Sequence, residues 1–78
     1  MEELLIRITS NPGIFSGKPI IRDMRIRVQD VLEMLAGGMK EEEILNDFPY
    51  LERYDIKACL LYAALKMSHP VIHAAGKF

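Results

Sequence analysis

Lys18, Arg22, Arg25 and Arg27 stand within residues 18–27 against a single carboxylate, Asp23. Cations at this density bind anions. One use is phosphate contact on DNA, the source of most of the affinity of nucleic-acid binders. A second is docking on an acidic protein surface. The plain alternative is a solvated sheet face whose arginines pair with Asp23, Asp30 or the glutamates. On a strand, Arg25 and Arg27 point to one side, which favours a shared role. Arg53 and Lys57 are further phosphate candidates, although the run Glu52-Arg53-Tyr54-Asp55-Ile56-Lys57 sets acids beside them. A recognition helix needs polar or basic side chains at the base edges. Only Arg53, Lys57 and Tyr54 offer that here, so DNA contact would rest more on the basic segment than on the helix. The bland reading of the same two helices is a packing corner.

Other reactive side chains carry less. Cys59 lies on an apolar helix face and reads as a buried, inert thiol. Glu41-Glu42-Glu43 reads as a solvated helix start favoured by the dipole, since consecutive helical residues point in different directions and cannot share a metal. His69 and His73 have i, i+4 spacing, but Pro70 between them argues against a helical metal pair. No Ser/His/Asp set, Cys/His pair, phosphate-cradling loop or paired catalytic carboxylates can be argued. The expectation is therefore no enzyme, no cofactor and no metal.

The elements that must position these groups centre on Lys40 to Leu65. Glu41 to Asp47 reads as a short helix stopped by Pro49, with the residue before the proline pushed towards extended geometry. A second helix starts near Glu52, with Leu51 and Ile56 spaced as a hydrophobic staple and Asp55 in the first turn. Met39 and Ile44 repeat the staple spacing around Lys40, a poor cap residue. An earlier helix runs from Val28 to Ala36, with Val28, Val31, Leu32 and Leu35 on one face and Gly37-Gly38 at its end. Leu4 to Thr9 reads as a strand, pairing with residues 20–22 or 25–27. Residues 1–27 form a β segment and turns, 28–67 three helices, and 68–78 a tail, all within one domain.

The last helix carries one charge, Lys57, between Ile56 and Leu65. A helix apolar almost all round must be covered on most sides, by its own fold, by a second copy, or by both. A chain of 78 residues buries only about 60% of its unfolded surface, and dimerisation is a common remedy. Half the residues are hydrophobic, which argues against disorder. The single cysteine excludes an internal disulfide. No apolar run is long enough to span a bilayer and no signal peptide is read, so the expectation is a soluble, cytoplasmic chain. The net charge of −1 argues against a polyanion binder as a whole, but its distribution is uneven. The basic segment faces an acidic one over residues 40–57, where six carboxylates outnumber Lys40, Arg53 and Lys57.

The order Gly17-Lys18-Pro19-Ile20-Ile21-Arg22, Met24-Arg25-Ile26-Arg27-Val28, Gly38-Met39, Glu42-Glu43-Ile44-Leu45 and Asp47-Phe48-Pro49-Tyr50-Leu51 continues through Asp55-Ile56, Ala58 and Tyr62-Ala63. Over roughly residues 5–65 it closely resembles the domain-of-unknown-function 433 family. The resemblance implies a mainly α fold: a three-helix, homeodomain-like helix-turn-helix bundle with a short N-terminal β segment. It also implies an antitoxin-like partner of a PIN-like nuclease toxin. The family often carries Gly-Thr where Asp23-Met24 stands, and Ser or Thr caps where Lys40 and Glu52 stand.

On this footing the expected function is an antitoxin-like regulator. It would homodimerise, hold a PIN-like nuclease inactive and repress its own operon. The expected DNA contacts are Lys18, Arg22, Arg25, Arg27, Arg53 and Lys57. The expected partner contacts are Tyr54, Leu61, Leu65, Val71, Ile72 and Phe78, with an arginine or the Lys77-Phe78 tail plugging the acidic nuclease pocket. The alternative is a protein–protein interaction module that binds no nucleic acid. No membrane partner is expected.

Overall fold

Three helices begin in the same way. Each start has an apolar residue, a charged cap residue, an acid three positions after the cap, and a second apolar residue. The sets are Ile26-Arg27 with Asp30-Val31, Met39-Lys40 with Glu43-Ile44, and Leu51-Glu52 with Asp55-Ile56. In each, the acid accepts the backbone N–H of the cap residue, at 2.9 Å for Asp30, 2.7 Å for Glu43 and 2.8 Å for Asp55. Arg27 and Lys40 have no side-chain acceptor to return the bond, so the acid half of the capping box does the work alone. Ile26, Val31, Ile44, Leu51 and Ile56 are buried in one core, with Met39 packed against it. The staple spacing therefore seats all three helix starts in the same interior.

In this computed structural model residues 2–68 are described. The tail beyond them, with its expected partner contacts Val71, Ile72 and Phe78, lies outside the described residues. Among these residues the chain is mainly helical, with a two-stranded antiparallel sheet. Helix α1 spans Glu2–Leu5, α2 Val28–Ala36, α3 Glu41–Asp47 and α4 Arg53–Lys66, with strands β1 (Ile8–Thr9) and β2 (Ile20–Ile21) between α1 and α2. The later helices take the limits their sequence signals indicate. Helix α2 closes in a Schellman motif: Gly38 N–H reaches Leu35 O at 3.0 Å and Met39 N–H reaches Met34 O at 3.0 Å, with Gly38 at φ +100°. Helix α3 ends against Phe48, ahead of Pro49.

The N-terminal segment departs from expectation. Instead of a strand from Leu4 to Thr9, Glu2–Leu5 is helical and only Ile8–Thr9 is extended. The reason is the partner's length. Strand β2 has two residues, flanked by Pro19, which lacks an N–H, and by a turn at Arg22-Asp23. Past the bond from Arg22 N–H to Arg7 O at 2.8 Å, β1 has nothing further to pair with, and Glu and Leu are good helix formers. Ile8 pairs with Ile21 and Thr9 with Ile20. Ile20 also bridges Arg27, so the fully buried Ile20-Ile21 lies between two neighbours.

Helix α4 is only partly the central rod its composition implies. Ile56, Ala58 and Cys59 are buried. From Leu60 onward the cover is partial: Leu60 is exposed, Leu65 is 52% exposed and Met67 78%. The fold thus meets the demand for cover over the first half of the helix and only in part over the second, where Leu61, Tyr62 and Ala63 are half-buried. Among the described residues, no helix is long and apolar enough to cross a membrane.

Candidate functional site

Asp55 has no solvent exposure, and its carboxylate collects four hydrogen bonds. Arg22 donates from Nε to Oδ1 at 3.0 Å and from Nη2 to Oδ2 at 2.7 Å. Arg7 donates to Oδ1 at 2.9 Å, and the Glu52 amide donates to Oδ2. Arg7 also reaches Glu52 at 2.6 Å and lies over the Tyr54 ring, while Arg22 also donates to the Tyr50 carbonyl. Burial by itself would raise the Asp55 pKa. The bonds from Arg22, the Glu52 amide and Arg7 overcome it and hold the carboxyl below its usual value. This cluster ties the β segment to α4. It is structural, since no ligand-accessible atom of Asp55 remains.

That knot changes the standing of the expected phosphate contacts. Arg22 is committed to Asp55. Arg27 is committed to Asp30 at 2.7 Å and stacks over Phe15. Arg53 faces Glu41 at 3.3 Å in an exposed, weak pair. Among the described residues Lys18, Arg25 and Lys57 have no ion pair. Arg25 and Arg27 do not share a face, because residues 24–25 are in a bend rather than a strand. Arg25 lines a cleft with Asp30, Glu33, Phe48 and Tyr50, whereas Arg27 lines a different groove with Lys18. The basic run in the sequence is thus not one basic patch in space.

The second surface is apolar. Of the expected partner contacts, Tyr54 is 58% exposed, Leu65 is exposed and Leu61 is half-buried. Tyr62, half-buried on the core side of α4, borders three neighbouring clefts. One of about 260 Å³ lies between α4 and the start of α2, over Val28 and Leu32. Another lies towards Leu5 and Ile8, and the third towards Pro19 and Ser10. Among the described residues no group of His, Cys, Asp and Glu is arranged to hold a metal.

Arg7 escaped notice in the sequence, as did its pairing with Asp55. A signal was present. Asp55 shares a helical face with Ala58, Cys59 and Tyr62, and a lone carboxylate on a buried face requires a cation elsewhere in the chain.

No solved structure matches the chain. A relative from Sinorhizobium fredii, the uncharacterized protein y4eO, is 36% identical over 56 residues. That match covers 72% of this chain but only 25% of the relative, so the chain spans about a quarter of that protein's length. Residues 8–63 match the family described as protein of unknown function (DUF433), a span that takes in β1, β2, the Arg22–Asp55 and Arg27–Asp30 pairs and most of α4 but not Arg7, and the chain belongs to that family.

Proposed function

We propose that this chain is a small antitoxin-like regulator whose main activity is to bind a protein partner, a PIN-like nuclease, through the partly covered second half of α4. The observation that carries the reading is the exposure of Leu60, Leu65 and Met67 on the last helix, next to a buried core that needs none of them. Exposed apolar surface of this kind marks contact sites. In the fuller form of this reading, α2, α3 and α4 make a homeodomain-like bundle, with α3 and α4 as its helix-turn-helix. Arg53, Tyr54 and Lys57, all exposed at the start of α4, would then face operator DNA, and a homodimer would supply two half-sites.

The test is co-expression with the product of the adjacent reading frame. Restored growth and co-purification support the reading. A neighbour without nuclease activity, or a nuclease left active, overturns it.

The second reading is an interaction module that binds no nucleic acid. It is favoured by the ion pairs that occupy Arg22, Arg27 and Arg53. A salt titration against promoter DNA separates the two. Specific binding that weakens steeply with salt supports the regulator, and no binding supports the module.

A further inference from the structure

The clefts around Tyr62 have an uncommon charge pattern. Their walls include Val28, Leu32, Ile8 and Leu65, all apolar. The charged residues that border them are Lys18, Arg27 and Lys66, and no carboxylate lines any of the three. Arg27 is neutralised by Asp30, and Lys66 lies over the Tyr62 ring with its Nζ at 5.4 Å from the centroid. Lys18 and Lys66 therefore remain as uncompensated cations on either side of an apolar floor.

This pattern decides the occupant. Two copies of the chain meeting symmetrically here would lay the same patch on itself, and neither copy's patch has a carboxylate to receive the other's lysines. A head-to-tail contact with an acidic face would have to close into a ring, or it would run on as a filament. A helix with an apolar stripe suits the groove between α2 and α4, and acids beside that stripe suit the rim. We propose that the Tyr62 surface is the docking face for an amphipathic helix of a partner protein, with Asp or Glu flanking its apolar stripe. The inference rests on the partner-binding part of the function proposed above and gives that partner's chemistry. Apolar contact supplies the affinity, and the lysines set orientation and reject basic helices.

The test uses two synthetic helical peptides with leucines at i, i+3, i+4 and i+7, one flanked by glutamates and one by lysines. Binding is followed by NMR on the intact chain. The glutamate peptide is expected to shift the amides of Val28, Leu32, Tyr62 and Met67 and to bind about tenfold more tightly than the lysine peptide. The double substitution Lys18→Glu and Lys66→Glu should reverse that preference, with circular dichroism confirming the fold. Salt dependence of the wild-type complex gives the same answer if the double variant does not fold: binding of the glutamate peptide should weaken as salt rises. Equal affinity for both peptides, binding of neither, or a concentration-dependent dimer whose shifts map to Tyr62 and Met67 overturns the proposal. Glutamate-peptide binding by a chain that fails to neutralise the nuclease leaves this face standing and removes the antitoxin reading. Neutralisation without peptide binding does the reverse.

Discussion

Arg22 and Asp55, 33 residues apart, meet fork to fork, with both carboxylate oxygens engaged by one guanidinium. To reach it, Arg22 holds a left-handed backbone at φ +45°, followed by Asp23 at φ +57°. The Met24 N–H closes this turn on Ile21 O at 2.8 Å. Left-handed geometry costs a non-glycine residue roughly 1–2 kcal/mol. The bidentate, charge-assisted pair offsets that cost and fixes the arginine's direction.

Replacing Asp55 with Asn keeps the shape and removes the charge. Breaking a buried pair on one side costs about 3–5 kcal/mol. Because both arginines keep some access to water, the lower end applies, about 3 kcal/mol. Urea denaturation should show a lower midpoint with the slope unchanged.

Acid should weaken the fold through the same group. Asp55 and Asp30 both sit below their ordinary pKa when folded: at Asp30 the Arg27 bond lowers it, and at Asp55 the hydrogen bonds outweigh burial. A depressed carboxyl stabilises the fold above its unfolded pKa of about 3.9 and loses that contribution as protons return below it. The Tm should be flat down to about pH 5 and then fall. In Asp55→Asn the fall should be shallower; an unchanged acid limb would contradict the assignment.

Two left-handed positions should respond with opposite signs. Asp23→Gly relieves strain at φ +57° and leaves the backbone bond from residue 23 to Thr9 Oγ1 in place, so the fold should gain up to about 1 kcal/mol. Gly38→Ala has open space around the new methyl, yet φ +100° is unfavourable for alanine, and the loss should be about 1 kcal/mol or more. Thermal melts of the two variants, run side by side, give the signs directly.

The Cys59 thiol is fully buried, and burial beside Asp55 pushes its pKa up to about 12. A thiol-specific reagent at neutral pH should leave the folded chain unlabelled and react at once in denaturant. Rapid native labelling would mean that α4 opens readily.

Much of the helical framework was legible. Pro49, Gly37-Gly38 and the apolar–acid–apolar starts act locally, within one turn, and they mark α2, α3 and α4 to within a residue. The β segment was less so, because strand length depends on a partner: β1 stops where β2 has nothing left to offer. The basic cluster shows the limit most clearly. Lys18, Arg22, Arg25 and Arg27 are neighbours along the chain, but Asp55 and Asp30 draw two of them away and a bend sends Arg25 elsewhere. Charge density in sequence becomes a surface only if no buried acid claims it.

Arg7 and Asp55 lie 48 positions apart, and the cluster they share has contributors from the first turn, the hairpin and the last helix. During synthesis this latch cannot shut until α4 has emerged, whatever precedes the domain. A product that stalls before residue 52 would keep two arginines with neither Glu52 nor Asp55 to receive them and an apolar interior without α4 over it. Such a fragment would be open to cellular proteases until α4 is complete.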